Sequence, residues 1–221
     1  MSKQAAQNTT NQITEGVIWK QLLIFFFPIL FGTFFQQLYN TADAIIVGNF
    51  VGKEALASVG GSASTIINLL VGFFVGLSSG ATVIISQYYG ADNRRRVSDS
   101  VHTAIALAIA GGIVIMLLGL VSARFALTAM GTPDDILSLS LTYMKIYYLG
   151  TIPSMIYNMG SGILRAVGDS RRPFYFLLVS AVLNTGLDLL FVLKFGMGVE
   201  GVAYATIIAQ AVSAVLTIAV L

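Results

Sequence analysis

The chain has 221 residues, 56% of them hydrophobic and 10% charged, with a mean hydropathy of +0.83. A soluble domain of this length exposes far more charge, so the composition points to a multi-pass protein of the cell membrane, in contact with the lipid bilayer. The net charge of +2 is too small and too scattered for a nucleic-acid partner, and without cysteine and with His102 as the single histidine, neither disulfides nor a Cys/His metal centre is expected.

Residues 1–16 read as a polar cytoplasmic N-terminal arm. The opening "MSKQAAQNTTNQITEGVIWK" lacks the short apolar run behind a basic start that marks a secretory leader, so no cleaved leader is expected. Residues 17–221 read as one all-α transmembrane lobe of six helices, at about 17–48, 55–89, 97–122, 137–160, 171–193 and 199–221, each able to cross about 30 Å of hydrocarbon. Stretches such as "GGIVIMLLGLV" do not alternate as barrel strands must.

Pro28 lies inside the first span, where it removes a backbone hydrogen bond and permits a kink. The second run has no charged residue from Ala55 to Ala91. It is kept as one long, tilted helix entered through "SVGGSAS", because two spans need about 40 residues before any turn. In the fourth span, "YYLGT" and Pro153 interrupt the pattern, and Tyr147 and Tyr148 read as part of an interfacial aromatic belt. The last run ends at "AVSAVLTIAVL" with no basic stop, so the chain is expected to be a piece of something longer.

Positive charge supports the count, since Lys and Arg gather on the cytoplasmic side of short loops. Lys3, Lys20, Arg94, Arg95, Arg96, Arg165, Arg171 and Arg172 fall on one side, against Lys53, Arg124 and Lys194 on the other. Six spans with both termini in the cytoplasm satisfy this bias. Lys145, within the fourth span, belongs to neither side.

Two acids remain inside the spans. An ionised aspartate at mid-helix costs about 2.5–3.5 kcal/mol on insertion scales, so such residues face a cavity or a partner. Asp43 stands ten residues before Lys53 and Asp188 six before Lys194, which at about 1.5 Å per residue puts both in the outer half of the membrane. Asn184 lies one turn before Asp188, and Thr206, six residues after Glu200, reaches a similar depth on the next antiparallel helix. Gln36, Tyr39 and Asn40 precede Asp43 by seven, four and three residues, along one stripe. An oxygen-rich, sulfur-free set suits Na⁺ or a proton better than a transition metal. The plainer reading, that Gln36, Asn40 and Gln210 merely bond helices together, stays open beside it.

Five motifs in order, "FPILFGTFFQQLYNTADAIIVGNFVG", "SQYYGADNRRR", "LRAVGDSRRPFY", "NTGLDLLF" and "GVEGVAYATIIAQ", resemble the N-terminal lobe of the MATE (multidrug and toxic compound extrusion) transporters, in their DinF-like branch. Most bacterial members have two six-helix lobes and exchange H⁺ or Na⁺ for organic, often cationic, drugs. The resemblance implies a cation site of Asp43, Asn184, Asp188 and Thr206, with Tyr39, Tyr143 and Asn158, beside Gln36 and Asn40, around the substrate cavity, and Pro28 as a hinge. It implies no cofactor apart from the coupling ion, and no enzymatic activity. It further implies a multidrug efflux antiporter, with a role in antibiotic resistance, of which this chain is one lobe.

The C-lobe is missing. An even number of helices gives both lobes one orientation, so either that lobe or a second copy, as a parallel homodimer, would complete the transporter. The alternatives are a lipid-linked oligosaccharide flippase of the same superfamily, which should carry several cavity cations, and a non-transporting assembly unit. An intramembrane aspartyl protease is disfavoured, because Asp188 sits in "NTGLD" and not in a G-x-G-D motif.

Overall fold

A computed structural model describes residues 17–221, and the expected arm at 1–16 lies outside them. The described residues form helices α1 Ile18–Ile46, α2 Lys53–Gly60, α3 Ser62–Gly90, α4 Arg94–Ala129, α5 Asp134–Leu149, α6 Thr151–Ala166, α7 Arg171–Leu189 and α8 Val199–Ile218. Two single π-helical turns, Val47–Val51 and Leu190–Lys194, extend α1 and α7.

Five stretches are long and apolar enough to cross a membrane: Trp19–Val51, Lys53–Gly90, Arg94–Ala129, Arg171–Lys194 and Val199–Ile218. The expected single second helix is broken at Gly61 into α2 and α3, within one apolar run. An added Cβ at Gly61 would come 2.7 Å from the Ala57 carbonyl oxygen. The expected fourth span is likewise divided at Gly150 into α5 and α6, each of 16 residues. Here the Thr151 hydroxyl takes the Tyr148 carbonyl (2.7 Å), and the Gly150 amide bonds to Tyr147 (2.9 Å). Pro153 then falls in the first turn of α6, where its missing N–H costs nothing. Pro28 has no such excuse at mid-helix, yet α1 runs on continuously through it.

α6 is the central post, packed on α3, α4 and α8 with ten of its residues buried. α7 joins α8 to α1, and α5 fills the space between α2, α4 and α8. One apolar cluster gathers Val47, Leu127, Met144 and Val202, and a second gathers Phe74, Ile85, Met159 and Ile163. α1 has little support within the chain except α7.

Close approach depends on small residues, as in membrane bundles generally. The Tyr148 ring fills the place of a side chain at Gly119, where an added Cβ would lie 2.1 Å from a ring carbon. Tyr147 and Tyr148 are 6% and 4% exposed, so the aromatic-belt reading is overturned: the absent side chain at Gly119 draws Tyr148 inward, and Tyr147 meets polar groups inside the lobe.

Gly119→Ala is therefore expected to destabilise the lobe by about 1–3 kcal/mol, as overpacking does. Tyr148→Leu in the same chain should restore part of the loss, as measured by denaturant unfolding in detergent micelles.

Candidate functional site

α1, α7 and α8 position the site. The antiparallel contact of α7 with α8 brings Asn184 to Thr206, and the Asn184 Nδ2 donates to Thr206 Oγ1 at 3.4 Å. That hydroxyl in turn donates to the Val202 carbonyl at 3.0 Å, the ordinary way a helical threonine satisfies itself. One turn beyond Asn184, Asp188 is 0% exposed. The packing of α1 on α7 sets the Asp43 carboxyl against that of Asp188, within hydrogen-bonding reach.

The unpartnered atoms define the site. Asp43 Oδ1, both Asp188 carboxylate oxygens and Asn184 Oδ1 are buried without a hydrogen-bond partner. Buried polar atoms are almost always paired, so four orphaned oxygens at one place need a physical account. No basic group supplies it: among the described residues, ion pairs join only Arg94 to Asp92 and Arg172 to Asp169, both at helix ends. Two facing carboxyls repel unless a proton or a cation lies between them. The donors are hard oxygens throughout, suited to H⁺ or Na⁺. Among the described residues no three His, Cys, Asp or Glu side chains gather as a metal centre.

Tyrosines ring the acids. Tyr143, buried on α5, interacts electrostatically with Asp43, Asp188 and Tyr39, and its ring centroid lies 6.3 Å from that of Tyr147. Tyr39 neighbours Asp43 and has the Gln36 side chain within hydrogen-bonding reach. Asn40 is exposed on α1. The expected single stripe on α1 thus divides, Tyr39 and Asp43 facing inward and Asn40 outward. Asn158 hydrogen-bonds within and beside α6: its Nδ2 donates to the Ser154 carbonyl (2.8 Å), and its own carbonyl accepts from the Ser78 hydroxyl (2.7 Å). Pro28 is fifteen residues from Asp43, about 22 Å along α1.

Sequence reasoning missed a polar ladder running away from the acids. Tyr147 neighbours Gln210, which accepts a hydrogen bond from the Ser154 hydroxyl. Tyr39 interacts with Tyr157, which in turn neighbours Ser161 and Arg165. The spacing of Ser154, Tyr157, Ser161 and Arg165 follows one face of α6, a signal visible in the sequence but masked by the apolar residues between them.

Comparison with known proteins fits this geometry. The MatE family model matches residues 28–190, and the chain belongs to that family, one of transporters and not of enzymes. Among its relatives are the probable multidrug resistance protein YpnP of Bacillus subtilis (strain 168), 33% identical over 200 residues, and the DNA damage-inducible protein F of Escherichia coli (strain K12), 27% identical over 199. These alignments take in 90% and 89% of the chain but 45% and 42% of the relatives. A solved structure of a MOP superfamily transporter from Pyrococcus furiosus superposes with a TM-score of 0.88 at 27% identity, covering 95% of this chain and 46% of that one. The chain spans less than half the length of the relatives it matches.

If Asp43 and Asp188 share a proton, infrared difference spectra should show a protonated-carboxyl stretch that disappears on adding Na⁺ or base. Asp188→Asn and Asp43→Asn should each abolish that change, while circular dichroism shows the helices intact.

Proposed function

We propose that the chain is one lobe of a cation-coupled multidrug efflux antiporter of six passes, with both termini cytoplasmic and α5 and α6 together forming one pass. The observation carrying this reading is the facing pair Asp43 and Asp188, with four orphaned oxygens, in a lobe of the MatE family. Packing alone does not require two acids without a base.

Asp43, Asn184, Asp188 and Thr206 bind the coupling ion, H⁺ or Na⁺, in competition with an organic cation. With the ion in place the carboxyls are neutralised, and a cationic drug held nearby loses its electrostatic partner and leaves. Release of the ion to the opposite side restores the charge. Tyr39, Tyr143 and Gln36 orient the acids, and Asn40 and Asn158 border the substrate cavity at a greater distance. Pro28 serves as the hinge: α1, held mainly by α7, moves without disturbing the α6 core.

The second wall of the cavity comes from a C-lobe or from a second copy in parallel. Two outward features support such a partner. α1 exposes Thr33, Gln37 and Asn40, which hydrocarbon would penalise. α3 aligns Gly72, Gly76 and Gly80, and a Cβ added at any of them meets nothing within 4 Å. Glycines at this spacing admit a closely packed neighbouring helix.

Asp188→Asn is expected to reduce ethidium efflux driven by a proton or sodium gradient to the level of protein-free vesicles, with membrane insertion unchanged. Undiminished efflux in the variant would refute the coupling role. The chain has no native cysteine, so Gly76→Cys offers a clean test of the second wall: a disulfide-linked dimer in membranes indicates self-pairing, and its absence indicates a separate C-lobe.

A further inference from the structure

Between the end of α3 and the start of α4 lies a groove of about 760 Å³ that the transport cycle does not use. Its inner part is apolar, walled by Leu77, Ala81 and Ile84 of α3 and by Ala104 and Leu107 of α4. Gly80 widens it, since an added Cβ there meets no atom within 4 Å. From Leu77 to Tyr88 the wall spans twelve residues, about 16 Å of helix. The groove extends round α3 from Gly72 and Gly76 and shares Gly80 with the glycine line assigned to the second wall.

The mouth is charged with both signs. Arg96 is fixed there, its guanidinium 5.6 Å above the Tyr88 ring, its Nη1 donating to the Tyr88 hydroxyl at 3.3 Å and its backbone amide to Asn93 Oδ1 at 3.2 Å. Arg95 and Asp99 line the same opening one turn apart, yet neither arginine forms an ion pair with Asp99. Of the nearby charges only Arg94 is paired, with Asp92 at 3.9 Å, outside the groove. Two guanidiniums and one carboxylate thus share an opening without neutralising one another, above a slot lined with hydrocarbon.

We infer that this groove binds one phospholipid whose headgroup carries both a phosphate and a primary ammonium, as phosphatidylethanolamine does. Arg95 and Arg96 take the phosphate, the geometry to which guanidinium is best suited. Asp99 takes the ammonium, which a quaternary choline cannot replace because it has no N–H to donate. One acyl chain lies along Leu77, Ile84 and Leu107. Basic pockets at the loop end of membrane helices are general recognition sites for lipid headgroups.

The single tryptophan, Trp19, allows a direct test. The 221-residue chain carrying Trp19→Phe and Leu107→Trp is reconstituted in phosphatidylcholine vesicles, and quenching by acyl-brominated phosphatidylethanolamine is compared with quenching by brominated phosphatidylcholine. The expected preference for phosphatidylethanolamine is about threefold or more, the scale of exposed ion pairs. Arg95→Gln with Arg96→Gln, and separately Asp99→Asn, should bring the ratio close to one with helix content unchanged. A reporter at Leu118→Trp, exposed further along α4, should show no preference in any background. A ratio near one at Leu107→Trp, or one that both sets of substitutions leave unchanged, overturns the proposal. So does release of quenching by millimolar soluble phosphoethanolamine, which would make the site one for a free anion.

Discussion

Two carboxyl groups face each other inside a hydrocarbon-spanning lobe, and among the described residues no basic group pairs with either. Hydrocarbon tolerates such a pair only when something small and positive neutralises it. The rest of the architecture can be understood as the means of holding that pair together. α8 supplies the hydroxyl that anchors Asn184 one turn from Asp188, α5 covers the acids with Tyr143, and α7 is clamped between α8 and α1 so that the two carboxyls meet. The rigidity comes from elsewhere, from α6 and the glycines that let Tyr148 and Ser78 approach so closely.

The unequal grip on the two acid-bearing helices matters for motion. α7 is packed on both sides, whereas α1 leans on α7 and otherwise shows Phe26, Phe27, Phe31 and Phe34 to its surroundings. Removing the neutralising charge restores the repulsion between the carboxyls that pushes α1 away from α7, and little else in the lobe opposes its displacement. A change of one charge at the pair therefore bears most directly on the position of one helix, α1.

Much of this was legible from the residues. The lysines that follow the spans put Asp43 and Asp188 in the same half of the membrane, helical spacing joined Asn184 to Asp188, and the count from Glu200 put Thr206 at a depth similar to Asp188. The failures have physical causes. Tyr147 and Tyr148 carry the same amphipathic signal whether they sit in headgroups or against a polar interior, and only the vacancy at Gly119, on another helix, decides between the two. The breaks at Gly61 and Gly150 depend on backbone geometry that an apolar run of either length conceals, although Pro153 was already pointing to the second.

The π turns at Val47–Val51 and Leu190–Lys194 lie just beyond Asp43 and Asp188, in contact with each other, and are closed by the Gly52 amide on Val47 (3.0 Å) and the Phe195 amide on Leu190 (3.3 Å). A π turn houses one residue more than α geometry needs. Each acid-bearing helix therefore stores a spare residue between its carboxylate and the loop that follows it. Shifting that surplus along the helix would rotate the residues it passes by about 100° while both ends stay in place. The two helices thus own a matched pair of slip joints just beyond the facing carboxyls.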